Sequence, residues 1–287
     1  MKFTAQGATL AKACDRASRL AKGNGIPILN ALRFDAKAGR VTVAATDMDS
    51  HWSESLDTAT DAAPQKNGTA IIAAAGLAKA LKHFTASAVE IEADKDGAVL
   101  RAGRGSYRLE TFAPAEFPNI APEKAEASGA FALPVAELRE LAEAVQFCMS
   151  DEETRYYLNG VYVTRTDYGH IRLVATDGHR MALADGGPVE AFAPFIWPKS
   201  AVALFLANTK NGNGGGAVDV TVTDKGLFVT LSGDSWRLDM KGIDGSFPDY
   251  TRVVPTTNDK RIEVSAPALA TAAKRLADIA GANSVGL

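Results

Sequence analysis

The segment Leu173-Val-Ala-Thr-Asp-Gly-His-Arg-Met-Ala-Leu-Ala-Asp185 sets an acid, a histidine and an arginine side by side between two apolar runs. Imidazole titrates near neutral pH and a neighbouring carboxylate can orient it, so Asp177, His179 and Arg180 could serve general acid–base chemistry. The competing reading is a tight hairpin, because Asp-Gly between strand-like runs is a strong turn signal and glycine tolerates positive φ. The rest of the chain decides between them.

Elsewhere the catalytic reading finds little support. The four histidines, His51, His83, His170 and His179, include no H-x-x-x-H pair, and there is no zinc motif. No G-x-S-x-G elbow, Walker loop or G-x-G-x-x-G at a strand-to-helix turn occurs, and Gly103-Arg-Gly105 falls between strand-like segments as a turn. No cofactor and no enzymatic activity are therefore expected.

Composition narrows the class. With 46% hydrophobic residues, the 287-residue chain can bury one large core or two to three smaller ones. No apolar run of about 18 residues and no signal-peptide pattern at the N-terminus suggest a cytoplasmic protein. Cys14 and Cys148, both in helix-like segments, are expected to be buried free thiols rather than a disulfide or metal site. The net charge of −3 predicts no polyanion partner by itself, so a nucleic-acid site would have to come from local arrangement.

The elements that must position the hairpin come in an internal repeat of about 130 residues. Phe3 to Leu10, Phe131 to Leu138 and Ile262 to Leu269 each place an apolar strand residue seven positions before a leucine that opens an alanine-rich helix. Ala45-Thr46-Asp47 recurs as Ala175-Thr176-Asp177, Ser106-Tyr-Arg-Leu109 as Ser235-Trp-Arg-Leu238, and Phe117-Pro118 as Phe247-Pro248. The first copy keeps the Thr-Asp pair but reads Met-Asp-Ser where the second reads Gly-His-Arg. A structural role thus covers Thr46, Asp47, Thr176 and Asp177, and leaves His179 and Arg180 for something particular to the second copy.

Each copy reads as strand, helix, several strands, second helix, several strands. This is an α+β module with antiparallel sheets. In the first, a strand at Lys2 to Thr4 precedes a helix at Ala8 to Lys22, hairpin strands follow at Ala31 to Phe34 and Val41 to Ala45, and a second helix spans Ala74 to Phe84. Strands are expected at Val89 to Ala93, Val99 to Ala102 and Ser106 to Phe112. In the second, helices at Val135 to Met149 and Lys199 to Asn208 precede strands at Val218 to Thr223, Leu227 to Ser232 and Ser235 to Met240. Modules are placed at 1–122, 129–255 and 261–287, with linkers at Ala121 to Ala130 and Pro255 to Lys260, and Asn211 to Gly216 as a glycine-rich loop. The third copy offers one strand and one helix (Pro267 to Ile279), and Asn283 to Leu287 resembles the strand starts at Asn30 and Asn159; it stops roughly 100 residues short of a whole module.

The first helix carries a basic stripe. Lys12, Arg16, Arg19 and Lys22 fall on one face, with Leu10, Ala13, Ala17 and Leu20 on the other, and the second helix adds Lys79 and Lys82. A solvated surface face explains one such stripe, whereas two per repeat suit a phosphate partner bound without reading sequence. The second copy is weaker, with Arg139 among Glu137, Glu140 and Glu143, and the third has Lys274 and Arg275. In Arg155-Tyr156-Tyr157 an extended backbone would present one tyrosine outward, beside an arginine suited to a nucleic-acid backbone.

Several stretches carry a family resemblance: MKFT at the start, IPILNALRF (26 to 34), EFPNI (116 to 120), RYYLNGVY (155 to 162), VATDGHRMA (174 to 182) and FPDYTRVVP (247 to 255). In order and over almost the whole chain, they resemble the bacterial DNA polymerase III β subunits, the sliding clamps of replication. The resemblance implies three clamp modules per subunit, two subunits closing head to tail into a ring with helices lining the hole, and a topological tether for the polymerase rather than catalysis. It also implies that the hairpin belongs to a peptide-binding cleft made of Leu158, Thr176, Gly178, His179, Arg180, Met181, Pro248, Arg252 and Val253. Such a cleft would take short apolar motifs from the DNA polymerase III α subunit, the clamp loader and other partners. Arg155, Tyr156 and Tyr157 would join Lys12, Arg16, Arg19, Lys22, Lys79 and Lys82 in facing double-stranded DNA.

Two departures stand out: Gly23-Asn24 replaces an arginine the family often shows there, and Glu152 stands where a DNA-facing polar residue is common. The incomplete third module implies that the chain as given does not close the homodimer ring. The readings left open are a clamp whose sequence here is shortened, a naturally short clamp-like peptide-binding protein that forms no ring, and a two-module chain forming a trimeric ring.

Overall fold

The computed structural model describes residues 1–22, 25–37, 39–56, 62–121, 125–210, 215–255 and 257–280. Gly23-Asn24, Pro122 to Lys124 and Thr256 of the expected linkers, residues 211–214 of the glycine-rich loop, and Asn283 to Leu287 lie outside the described residues. The chain divides into two units, Met1–Phe247 and Pro248–Leu287.

Within the first unit the repeat is visible element by element. The first copy runs β1 (Lys2–Gln6), α1 (Gly7–Ser18), β2 (Ala31–Lys37), β3 (Arg40–Thr46), β4 (Ser50–Leu56), β5 (Ala62–Lys66), β6 (Gly68–Ala73), α2 (Ala74–Leu81), β7 (Ala88–Asp94), β8 (Gly97–Ala102), β9 (Gly105–Leu109) and β10 (Thr111–Phe112). The second runs β11 (Ala127–Pro134), α3 (Val135–Val145), β12 (Gly160–Arg165), β13 (His170–Thr176), β14 (Met181–Pro188), β15 (Phe195–Pro198), α4 (Lys199–Asn208), β16 (Ala217–Thr223), β17 (Phe228–Ser232) and β18 (Trp236–Lys241). The helices form because apolar residues recur at helical spacing: α1 buries Leu10, Ala13, Cys14 and Ala17. Its first residue must be glycine, since a Cβ on Gly7 would fall 2.0 Å from the Phe84 carbonyl oxygen.

All strand pairings among the described residues are antiparallel. They form a five-stranded sheet ordered β5-β1-β7-β8-β9, a nine-stranded sheet β10-β6-β2-β3-β4-β18-β17-β16-β11, and a four-stranded sheet β14-β13-β12-β15. The nine-stranded sheet joins the two copies, because β4 pairs with β18 from Glu54↔Trp236 to Ser50↔Met240. Period-2 burial puts Ser50, Trp52, Glu54 and Leu56 of β4 on the inner face. There Trp52 stacks on Trp236, which meets Phe205 of α4, and one buried core runs through both copies. Cys14 and Cys148 are buried free thiols.

Three expectations need correction. The first helix ends at Ser18 with Arg19 as its cap, so Lys22 lies past the helix and off its basic face. Ser106 to Phe112 is not one strand: the chain leaves the five-stranded sheet after Leu109, and Thr111–Phe112 pairs with β6 in the nine-stranded sheet. In the second unit Ile262 to Val264 forms no strand, since no other described segment of that unit is a strand that could supply its hydrogen bonds. The helix that follows, α5 (Ala266–Ala280), is present.

Candidate peptide cleft and DNA-facing surface

The hairpin between β13 and β14 is organised by side chains folding back on its own backbone. The Thr176 hydroxyl donates to the Arg180 carbonyl at 2.8 Å and accepts from the Gly178 N–H at 3.1 Å. Asp177 Oδ1 accepts from the N–H groups of His179 and Arg180, each at 2.9 Å, and Oδ2 accepts from Arg180 Nε at 2.8 Å. Those backbone bonds, with the Arg180 guanidinium, hold the Asp177 carboxyl far below the usual carboxylate range. The carboxylate is committed to the turn and to Arg180. Among the described residues no hydrogen bond joins it to the His179 ring, and the catalytic arrangement is not built.

The first copy repeats the bonds that the Thr and Asp side chains make to the backbone of this hairpin. The Thr46 hydroxyl donates to the Ser50 carbonyl at 2.8 Å and accepts from the Met48 N–H at 3.1 Å, and Asp47 Oδ1 accepts from Asp49 and Ser50 N–H groups at 3.0 and 2.7 Å. What differs is the tip. Gly178 has φ +88°, and Met48 holds φ +80° in the same place. A Cβ on Gly178 would come within 2.7 Å of Arg155 Nη1, so the glycine makes room for that guanidinium. The partners differ as well: in the first copy β18 covers the edge of β4, and Asp49 Oδ1 pairs with Lys241 Nζ at 3.3 Å. That hairpin is a seam between modules, whereas β14 is the edge of its sheet.

The first unit brings Thr176, Gly178, His179, Arg180 and Met181 together on the hairpin, with His179 and Arg180 exposed and Met181 half-buried. Leu158 is buried, at the end of a 3-10 segment (Glu153–Leu158) that leads into β12, the neighbour of β13. The same segment carries Arg155, paired with Glu152 at 3.1 Å, then Tyr156 exposed and Tyr157 half-buried against Gly245. The backbone is 3-10 rather than extended, yet one tyrosine faces outward. Arg155, read as a DNA residue, touches the tip of the hairpin. Pro248, Arg252 and Val253 fall in the second unit, around a 3-10 turn (Tyr250–Val253) opened by Asp249, whose carboxylate accepts from the Thr251 N–H at 3.2 Å.

Sequence reasoning passed over Phe147. It follows α3 in an apolar run that reads as core, yet it is 59% exposed and its ring centroid lies 5.7 Å from the Arg180 guanidinium carbon.

The helix cations separate by environment. Lys12, Arg16, Arg19 and Lys82 line a groove of about 860 Å³ between α1, α2 and the end of α4, where Ala207 and Asn208 close it, while Lys79 is exposed on α2 outside that lining. Arg16 is occupied: its Nε donates to Glu54 Oε2 at 2.7 Å and its Nη2 to Oε1, with both side chains largely buried. Glu54 lies on the inward face of β4, so this pair satisfies a buried carboxylate. Arg19 reaches Asp15 at 3.4 Å. Cys14 lines the same groove, but burial first, and then Glu54 and Asp15, push its thiol far upward and keep it protonated. In the second copy Arg139 is spent within the module, donating to the Leu206 carbonyl at 2.6 Å and the Thr209 hydroxyl at 2.9 Å.

Comparison with known proteins decides what this scaffold is. Residues 1–121 match the family model of the DNA polymerase III beta subunit N-terminal domain, and residues 132–249 match its central domain. The beta sliding clamp of Salmonella typhimurium is 31% identical over 284 residues, covering 96% of this chain and 74% of that protein. The chain belongs to the DNA polymerase III β subunit family. The Caulobacter vibrioides beta sliding clamp is 31% identical over 291 residues, covering 99% of this chain and 76% of its own. Among solved structures, the DnaN sliding clamp from Bartonella birtlesii bound to griselimycin superposes with a TM-score of 0.88 at 28% identity, over 99% of this chain and 75% of that one. The beta sliding clamp of C. crescentus with PEG bound to its putative beta-motif tethering region gives 0.87 at 31% identity, over 98% and 75%. This member of the family is a DNA sliding clamp subunit, a non-catalytic processivity factor of DNA replication. It spans about three quarters of the length of these relatives.

Proposed function

We propose that the chain acts in the cytoplasm as part of a ring around duplex DNA and holds the replicative polymerase there through the β13–β14 hairpin. Modules at 1–122 and 129–255 and the start of a third at 261–287 build the subunit, and two subunits close head to tail if the third module is complete. Lys12, Arg19, Lys79 and Lys82, with Arg155 and Tyr156, face the phosphates, where charge neutralisation without base contacts lets the ring slide. Leu158, Thr176, Gly178, His179, Arg180 and Met181 form the first unit's cleft for apolar motifs of the polymerase III α subunit and the clamp loader. The observation that supports this reading best is the contrast between the two hairpins: the same turn is built twice, and the copy carrying His179 and Arg180 is the one whose strand lies at a sheet edge.

The test combines light scattering with loading onto nicked circular DNA. Protein that stays on the circle and leaves when it is cut supports the ring. A monomer that never stays on the circle, yet binds griselimycin in a calorimeter, would refute the ring and keep the cleft. Loss of griselimycin binding in Arg180→Ala with an unchanged circular dichroism spectrum would tie binding to the hairpin.

A further inference from the structure

The internal repeat reverses the sign of one charge. Lys12 stands two positions after Leu10 on α1, and Glu140 stands two positions after Leu138 on α3. Otherwise the two helices match. Leu10, Ala13, Cys14 and Ala17 are buried in α1, and Leu138, Leu141, Ala142 and Val145 in α3, so Lys12 and Glu140 are both exposed on the face turned away from the core. Each helix also holds one ion pair between neighbouring turns, Arg19 with Asp15 at 3.4 Å and Arg139 with Glu143. These pairs cancel within the helix. Among the described residues Lys12 and Glu140 are in no ion pair, so α1 presents a cation where α3 presents an anion.

The second helix of each copy widens the difference. α2 and its cap expose Lys79 and Lys82. α4 exposes Ala203 and Ala207, and Lys199 at its start is paired with Asp151 at 2.6 Å. Glu137 in the first turn of α3 accepts from the Gly187 N–H at 2.6 Å, and Arg155 is balanced by Glu152 at 3.1 Å. Only Lys210, just past α4, offsets these acids with an exposed cation. The four helices form one layer, because α1 packs on α2, α3 packs on α4, and Asn208 Nδ2 of α4 donates to the Arg16 carbonyl at 3.4 Å. Phosphates lying along this layer are attracted by Lys12, Lys79 and Lys82 of the first copy and repelled by Glu140 of the second.

We propose that Glu140 sets where a duplex rests: the α3–α4 half of the layer holds DNA off, and the duplex rides against α1 and α2 instead of along the middle. The inference rests on the helices facing DNA. It goes further in giving the two copies opposite roles and in tying the position of the duplex to one side chain.

The test is site-directed crosslinking of the full chain to a fluorescein-labelled linear duplex at about 50 mM NaCl, where screening is weak. Cys14 and Cys148 are buried, so benzophenone maleimide reacts with an added surface cysteine. Ala75→Cys on α2 lies one turn before Lys79, and Ala136→Cys on α3 lies one turn before Glu140; both positions are exposed. The label at position 75 is expected to crosslink at least about 3-fold more duplex than the label at position 136, as the loss of attraction and the added repulsion require. Glu140→Lys evens the two yields, tightens binding about 3-fold and steepens the slope of log K against log salt by about one, and Glu140→Gln falls between it and wild type. Equal yields from the two labels in the protein that retains Glu140, or yields and affinity unchanged by Glu140→Lys, overturn the proposal and leave the helices facing DNA. A duplex that does not bind, or that binds and crosslinks to neither label, refutes the DNA-facing helices themselves, and the inference falls with them.

Discussion

Trp52 and Trp236 stack face to face across the junction of the two modules, with ring centroids 5.2 Å apart and planes 5° from parallel. Trp52 sits in the middle of β4 and Trp236 begins β18, so the stack lies on the seam that makes one nine-stranded sheet out of two copies. Each ring buries a large apolar area, and the offset pair adds about 1 kcal/mol beyond that area. Trp52→Ala is expected to cost about 4 kcal/mol and Trp52→Phe less than half of that, measured by urea denaturation at constant m-value. If Trp52→Ala matches wild type within 1 kcal/mol, the stack does not hold the modules together.

The cations of the groove divide into structural and solvent-facing groups. Arg16 is tied to the buried Glu54, so Arg16→Ala strands a buried carboxylate and is expected to destabilise the fold by about 3 kcal/mol. Lys12→Ala and Lys82→Ala leave the stability within about 0.5 kcal/mol. Each should lower the slope of log K against log salt for a duplex oligonucleotide by about one. A stable Arg16→Ala protein with weakened DNA binding would reverse the assignment of roles.

How much of this was legible in the sequence depended on the range of the interaction. The hairpin geometry could be read because Thr and Asp recur at one offset and act on N–H groups two or three residues away. The ends of helices were harder: periodicity carried the basic stripe to Lys22, while the chain turned at Ser18. The β4·β18 seam was not readable, since its partners are nearly two hundred positions apart and local patterning carries no register between them. Glu54 gave no signal either. A glutamate in a serine-rich strand looks solvated until the strand's inner face and Arg16 are seen together. Phe147 was hidden for the opposite reason, because an aromatic in an apolar run looks like core.

Acid stability of the hairpin follows from Asp177. Its carboxyl is held below the ordinary value of 3.8, chiefly by the N–H groups of Arg180 and His179, so the stabilising bonds are fully present above that value. They are lost only as the pH falls through the lower folded value. The hydrogen-exchange protection of the His179 and Arg180 amides should hold from pH 7 down to 3.8, and be lost together below it. Loss centred between pH 5 and 6 would mean that another group controls the turn.

The two hairpin tips make opposite predictions from one conformation. Met48 is held at φ +80°, a left-handed region that costs a residue with a Cβ about 1 kcal/mol, and β18 fixes the strand behind it. Met48→Gly removes that strain and adds freedom to the unfolded chain, two effects of similar size, so its stability is expected to stay within about 1 kcal/mol of wild type. Gly178→Ala meets the same backbone penalty and drives its Cβ into Arg155 Nη1 at 2.7 Å. It is expected to lose about 1–2 kcal/mol and to displace the guanidinium from the tip. If Arg155 faces DNA and the tip faces a peptide, Gly178→Ala alters both binding curves, whereas Met48→Gly alters neither. Measuring duplex and peptide affinity on the two variants side by side checks this. An unchanged Gly178→Ala protein would show that Arg155 and the hairpin are neighbours without consequence for either ligand.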